Sequence, residues 1–492
     1  MAFPVQIPES RGWRASAILI ALGLVAAGCS LHDVDSDVTA PVDPLDRFPS
    51  EANVGLAADQ LAGDRATSWW SEFNDSGLAK MIDRALSTNL TASDFAARVV
   101  AARAIARQSG AERRPALDAT GSAGLASFDE DGIGEAISGM RFQGDVGLLV
   151  SWEVDVFGRL RSRERAAVFD AMAAQDDLDA VLLAVSADVA RAYYAAAEQR
   201  LLLELLEQQI ERDATLLELI ELRFTQGEAT GLDILRQRAQ LADAQSLVPE
   251  AKTALRDAEN TLDALAGTPA DGQDEVLAGF PDLPEVPAAG VPADLLMNRP
   301  DLRAAQRRLV AVDFRIGEAI ADRLPRFNIV GSLAYADAQD GTGFAASAIA
   351  GLFAPLVDWG RREAVVDQRR AEYASLLAEF TSLYVNAIAE VDTLLYAEQR
   401  TREQVAVLTD RVDLLNRAVV EARNRYVNGI GDYTDVLVAL DDLQETQREL
   451  LAAEGRLVQQ RIEVYRSVGG AIGDPNTTLD SRILDRDSEA RS

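Results

Sequence analysis

Residues 158–227 run for about 70 positions with no proline and no internal glycine. At ~1.5 Å per residue, a helix of that length spans on the order of 100 Å. Globular domains use helices of roughly 8–20 residues, so this stretch excludes most compact folds. Apolar residues recur at alternating steps of four and three: Leu178, Leu182, Val185, Val189, Ala192 and Ala196, then Leu203, Leu206, Ile210, Leu217, Ile220 and Phe224. That spacing predicts a coiled-coil seam. Gln199 and Asp213 interrupt it, and Leu202, Leu205 and Leu216 form a second partial stripe. A simple coiled-coil rod would satisfy this stretch equally well.

The long stretch occurs twice. Arg98, Pro115 and Gly121-Ser122 recur 210 positions later as Arg308, Pro325 and Gly331-Ser332. Phe157-Gly158-Arg159 recurs 202 positions on as Trp359-Gly360-Arg361, and Arg223-Phe224-x-x-Gly227 as Arg425-Tyr426-x-x-Gly429. Asp233 and Leu235 likewise match Asp435 and Leu437. Coincidence does not hold register over so long a span, so the chain is an internal duplication. The change of offset places a length difference between the strands of each copy, in a hairpin loop. Each copy reads as a helix ending before a proline, two strands, the long helix, a glycine turn and a return helix, the first return helix covering about 232–265. A short amphipathic helix (Phe73, Leu78, Ile82, Ala85, Leu86) opens the first copy, followed by a second helix at about 93–113.

The strand segments alternate with period two. Leu117, Ala119, Gly121, Ala123 and Leu125 alternate with Asp118, Thr120, Ser122 and Gly124. Val146, Leu148, Val150, Trp152, Val154 and Val156 alternate with Asp145, Gly147, Leu149, Ser151, Glu153 and Asp155. Phe327, Ile329, Gly331, Leu333 and Tyr335 form the third set, and a less regular fourth covers about 344–357. Such alternation suits a half-buried soluble sheet or a transmembrane β-barrel. Aromatic residues near the strand ends (Phe142, Trp152, Phe157, Tyr335, Trp359) and a polar opposite face favour the barrel. Four strands do not close a membrane barrel, since the smallest have about 8, and an open edge in lipid strands its backbone groups. Spanning strands therefore demand several chains in one barrel.

Composition narrows the chemistry. Among 492 residues, 48 are basic and 79 acidic, for a net charge of −31, which argues against nucleic acid. One histidine, His32, and one cysteine, Cys29, leave no Cys/His zinc site and no Ser–His or Cys–His pair for the folded body. No phosphate-binding Gly-x-x-x-x-Gly-Lys loop is present. No cofactor, metal site or catalytic residue is expected. Arg11 and Arg14 precede an apolar run, 15–27, that is too short to span a membrane and fits a secretory signal. Val25-Ala26-Ala27-Gly28-Cys29 resembles a bacterial lipoprotein signal, which would make Cys29 a lipidated mature N-terminus; a buried structural cysteine is the alternative. Ser30 after it leans towards outer-membrane sorting. Residues 29–66, with Pro41, Pro44 and Pro49, read as an extended tether.

Taken together, several motifs resemble the outer membrane factors, the TolC-like efflux ducts, and especially their NodT-like lipoprotein branch. They are the Trp70/Phe73/Leu78/Ala85-Leu86 opening helix, Asn298-Arg-Pro-Asp301-Leu302, the junctions Asp155-Val-Phe-Gly-Arg159 and Asp358-Trp-Gly-Arg361, and both Arg-[Phe/Tyr]-x-x-Gly turns. The resemblance covers about residues 68–470. It implies a mainly α fold with a small β part: a homotrimer whose protomers each give four strands to a shared 12-stranded outer-membrane barrel, above a periplasmic tunnel of long antiparallel helices. The expected domains are a signal peptide (1–28), a lipid-anchored tether (29–66), a first repeat (67–266), an equatorial connector (267–297), a second repeat (298–470) and a C-terminal tail (471–492). The implied function is passive export of small molecules from the periplasm or an inner-membrane pump. Implied partners are a membrane fusion (adaptor) protein and an inner-membrane pump of RND type, beside outer-membrane lipid. A type I protein-secretion duct and a lipid-anchored scaffold without a pore are the alternatives. The resemblance places the periplasmic tip at Phe224, Gly227, Asp233 and Gly429. It carries a gate onto Asp435, with Asp432 as a substitute acid, and onto Tyr426. A second gate acid would fall on Val438 and the arginine partner of Tyr426 on Gly431, so the sequence departs from the family pattern there. An exposed helix-start carboxylate that complements the helix dipole is the simpler reading of Asp435.

Overall fold

The computed structural model describes residues 32–34, 48–50, 68–127, 140–270, 279–283, 286, 292–338 and 341–472. The signal segment, Cys29 and most of the 29–66 and 471–492 segments lie outside the described residues. A 3-10 turn, Trp69–Phe73, precedes α1 (Ser76–Thr88) and α2 (Leu90–Ala111). Then come β1 (Ala116–Ser127), β2 (Met140–Val154), α3 (Arg159–Thr225) and α4 (Gly231–Leu265). A 3-10 turn, Pro292–Asp294, and the single turn α5 (Leu295–Asn298) lead to the second copy. That copy contains α6 (Pro300–Ala321), β3 (Arg326–Ala338), β4 (Gly341–Phe353), α7 (Arg361–Val427) and α8 (Tyr433–Ser467).

The duplication is visible in element lengths. α3 and α7 each have 67 residues, α4 and α8 each 35, and α2 and α6 each 22. The offset change has two sources rather than the one expected. The hairpin 116–154 is longer than its counterpart 326–353, while the junction 155–158 is shorter than 354–360. β2 and β4 also stop earlier than their alternation suggested: past Val154, Asp155 leaves the sheet to cap the following helix, and Phe353 already pairs with Arg326, the first residue of β3. α4 continues through Pro249, whose ring lies on the exposed side, so the carbonyl of Gln245 that loses its donor is also on an exposed residue.

Two compact units cut across the two copies. The first takes residues 1–40, 99–174 and 304–380; the second takes 41–98, 175–303 and 381–492. Each unit thus combines both copies, because one copy's helices cannot bury their apolar stripes alone.

In the first unit, the four strands form one antiparallel sheet in the order β1-β2-β3-β4. Register pairs Leu117 with Val150, Ala119 with Leu148, Leu148 with Leu333, Tyr335 with Phe344 and Phe327 with Leu352. Paired residues share a face, so all these side chains line one apolar surface. The opposite face carries Asp118, Thr120, Ser122, Asp145, Glu153, Asn328, Ser332 and Ser347, where Ser122 donates to Asp145 and the Ser332 and Ser347 hydroxyls lie 2.8 Å apart. β4 is less regular, as expected: Phe344, Leu352 and alanines 346, 348 and 350 share the apolar face, while Ile349 and Phe353 stand with Ser347 on the opposite one. The apolar face of the sheet is exposed, from Val146 and Leu148 to Phe344 and Leu352.

In the second unit, the core gathers Trp69, Trp70, Phe73, Leu78, Ile82 and Ala85 against α3 (Val189, Tyr193, Tyr194), α4 (Leu262) and α8 (Val458, Ile462, Tyr465). Asp75 caps α1 by accepting from the Gly77 and Leu78 amides at 2.8 and 3.1 Å. Burial raises the Tyr194 hydroxyl's pKa strongly, with the nearby Asp75 carboxylate adding to the shift. The expected tether is seated at a described stretch: Phe48 is fully buried, and the Ser50 amide donates to Asp392 at 2.8 Å.

Candidate functional site

The strand-to-helix junctions repeat one construction. Asp155 accepts from the Leu160 and Arg161 amides at 3.1 and 2.8 Å, capping α3. Asp358 accepts from the Gly360 and Arg362 amides at 3.2 and 3.3 Å, capping α7. Gly158 and Gly360 take φ +76° and +83°, turning the chain from sheet into helix where a side chain would strain the backbone. Arg159 forks onto Glu153 at 3.0 and 2.8 Å, and Arg362 bridges Asp358 and Asp322. In the first junction Asp155, Gly158 and Arg159 supply a cap, a turn and a clamp; in the second these roles fall to Asp358, Gly360 and Arg362.

The Asn-Arg-Pro-Asp motif is also structural. Arg299 is buried, forks onto Asp301 at 3.1 and 2.8 Å, and reaches Glu390 on α7 at 2.6 Å and the Ser467 carbonyl that ends α8 at 3.1 Å. One guanidinium thus ties three helices. Nearby, Arg461 and Glu398 form a fully buried pair.

Both tip turns are built alike. Gly227 and Gly429 have φ +76° and +71°. Each amide bonds back to residue i−3 at 3.0 Å, while the next amide (Glu228, Ile430) reaches residue i−5 at 2.9 and 3.0 Å, the two-bond helix stop that a left-handed glycine permits. Phe224 is exposed just before the first turn. The helices then restart differently. Thr230 and Asp233 form a reciprocal capping box, the Thr230 amide donating to Asp233 at 2.8 Å, and Asp233 is buried in it. In the second copy the N-cap is Asp432, which accepts from the Thr434 amide at 3.5 Å. A carboxylate offers no donor for a reciprocal side-chain bond, and Asp435 is exposed. Val438 is exposed as well.

Tyr426 is buried with Ile220, Tyr433 and Val436. The Arg223 guanidinium lies 4.7 Å from the Tyr426 ring centroid and donates to the Val427 carbonyl at 3.2 Å. The first turn's own arginine therefore engages the tyrosine. Gly431, where the family pattern puts an arginine, sits too close to Arg425 to take a side chain without a shift: a Cβ there would meet the Arg425 Cβ at 2.9 Å. Burial raises the Tyr426 pKa, with Arg223 opposing the shift.

A polar layer above this cluster was not anticipated. The seam residues Leu206 and Ile220 are buried, but between them Gln209 and Asp213 take the core positions, while Leu203, Ile210 and Leu217 are only half-buried. Asp213 is 0 % exposed; one carboxylate oxygen accepts from Gln444 of α8 at 2.9 Å and the other has no hydrogen-bond partner among the described residues. Gln237 of α4 donates to the Asp213 carbonyl at 3.0 Å and accepts from the Tyr433 hydroxyl. Burial pushes the Asp213 carboxyl above its usual range, while Gln444 and Gln237 act to lower it. Asp213, which seemed to break the seam, belongs to it.

The four-stranded sheet with one apolar face, fed by paired 67-residue helices, defines an outer-membrane channel protein. The sequence profile of the outer membrane efflux protein family matches residues 81–268 and 291–470, and the chain belongs to that family. It is 29 % identical over 456 residues to the solvent efflux pump outer membrane protein SrpC of Pseudomonas putida, covering 91 % of this chain and 96 % of that one. Nodulation protein T of Rhizobium leguminosarum bv. trifolii is 26 % identical over 458 residues, covering 92 % and 95 %. Among solved structures, the outer-membrane channel OprN superposes with TM-score 0.78 at 24 % identity over 90 % of this chain and 99 % of that one. CusC also gives 0.78, at 22 % identity over 90 % and 100 %. The protein is an efflux-pump channel of the Gram-negative outer membrane and not an enzyme.

Proposed function

We propose that three copies of this chain close one 12-stranded barrel and form the outer-membrane duct of a tripartite pump exporting small apolar or amphiphilic compounds. The observation that carries the reading is the sheet: four strands with one exposed apolar face end at β1 and β4, two edges that lipid cannot satisfy. Pairing β4 of one copy with β1 of the next removes every edge. The substrate class follows relatives whose names specify solvent, toluene and pyoverdine export. In this reading Cys29 is acylated, the turns at Gly227 and Gly429 meet an adaptor protein that joins an RND-type inner-membrane pump, and Asp435 faces the axis as a ring of three carboxylates, with Asp432 and Tyr426 beside it. Native mass spectrometry of the detergent-extracted protein should give three copies; monomer or dimer as the only species refutes the shared barrel. A strain lacking the gene should become sensitive to toluene and recover with the wild-type chain; unchanged tolerance refutes the substrate class.

A further inference from the structure

The sole histidine of the sequence has a built seat. The His32 Nε2 lies 2.5 Å from Asp313 Oδ1 on α6, with the histidine side chain 25 % exposed and the aspartate 12 %. Gly317 stands one helical turn beyond Asp313, and a Cβ there would lie 3.5 Å from both Cβ and Cδ2 of His32 and 3.3 Å from the Ser162 hydroxyl. Any larger side chain would fill the seat. Glycine inside a 22-residue helix costs about 1 kcal/mol relative to alanine, so the position suits a close neighbour rather than helix stability. Beside the seat, Phe169 of α3 stacks on Phe314 of α6 at 5.6 Å and holds the two helices together. His32 and Val34 share one cleft with Phe157, Gly158, Arg161 and Ser162, the junction at which β2 becomes α3.

We propose that residues 32–34 are a clasp that fixes the acylated amino terminus to the base of the sheet, so that the lipid anchor is part of the barrel's rim and not the end of a free tether. The proposal rests on acylation of Cys29. Cys29 precedes His32 by three residues, and an extended chain covers at most ~3.6 Å per residue, so the two Cα atoms are within roughly 11 Å. The acyl chains then enter the leaflet next to the end of β2. Anchor and sheet meet the bilayer at one level, and the anchor holds each four-stranded sheet at that level while its edges find their neighbours. The clasp partners, Asp313 and Gly317, have no place in a tether.

The test uses the full-length chain in the outer membrane. Once Cys29 is acylated, the double variant His32→Cys/Gly317→Cys carries the only free thiols, and a Cβ at 317 lies 3.5 Å from that of residue 32, within disulfide range. A disulfide within one chain is expected in the trimer, found by mass spectrometry of non-reduced peptides. Bonds only between chains, or none, overturn the clasp. A second measurement needs no disulfide: Val34→Cys should be alkylated roughly tenfold faster when Asp313→Ala removes the charge-assisted contact. An equal rate overturns the clasp. Palmitate labelling of the same samples separates the two claims. Label without the disulfide refutes the clasp; the disulfide without label refutes acylation at Cys29.

Discussion

Replacing Asp213 by asparagine should stabilise the protein at neutral pH, by an amount that shrinks as the pH falls. The carboxylate is fully buried, pairs through one oxygen with Gln444 at 2.9 Å, and leaves the other oxygen without a hydrogen bond among the described residues. Asparagine keeps the acceptor for Gln444 and removes the buried charge. Because burial raises the folded-state pKa of Asp213 above its unfolded value, the folded protein binds this proton more tightly. The carboxylate therefore costs stability at every pH above the raised folded pKa. That cost declines as the pH drops through the folded pKa and is gone below the ordinary carboxylate value. Asp213→Leu separates charge from hydrogen bonding, since it deletes the charge but orphans the buried Gln444 amide, at a cost of about 1–3 kcal/mol. The assay is thermal unfolding of the purified protein by circular dichroism, at fixed protein and detergent concentration, from pH 8 down to the ordinary carboxylate range. The expected order at pH 8 is asparagine variant above wild type, with the gap closing as the pH falls through the raised folded-state pKa, and the leucine variant below the asparagine variant throughout. An asparagine variant less stable than wild type by the same margin at every pH would show that Arg212 and Arg448 compensate the charge in full, and would refute the reasoning.

At the tip, Gly227→Val or Gly429→Val should weaken adaptor cross-linking more than outer-membrane insertion, because a Cβ at either site meets no atom within 4 Å and the cost is the left-handed backbone alone, ~1–2 kcal/mol. Asparagine, which tolerates that backbone, should restore much of the cross-linking; valine variants that cross-link and confer tolerance like wild type would remove the tip from the docking site. Cys29→Ala should abolish palmitate incorporation while the barrel still assembles, and label persisting in the variant would place the lipid elsewhere. In planar bilayers the trimer should be cation-selective and blocked by multivalent cations from the periplasmic side, less so in Asp435→Asn and nearly unchanged in Asp233→Asn, whose carboxylate is already committed to the Thr230 capping box. Equal block in wild type and Asp435→Asn would leave Asp435 an ordinary helix-start acid.

Much of this architecture is written in local chemistry. The uninterrupted 158–227 stretch dictates a long helix because nothing in it breaks one, and the repeat of Arg-x-x-x-Gly dictates two reversals because only glycine takes φ near +70° without strain. Period-two alternation marks three strands for the same reason of local geometry. The tertiary structure alone decided what depends on partners distant in sequence. β4 has alanines on its apolar face and Ile349 and Phe353 on the other, so its faces were assigned only when β3 supplied the register. Asp213 read as an interruption because the amides that accommodate it come from Gln237 and Gln444, 24 and 231 residues away. Asp233 and Asp435 occupy matching positions in the two copies, yet Asp233 closes a capping box with Thr230 while the second helix is capped by Asp432 alone. His32 carried no signal beyond being the one histidine; its seat needed a glycine and an aspartate 281 residues or more along the chain, which only folding brings beside it.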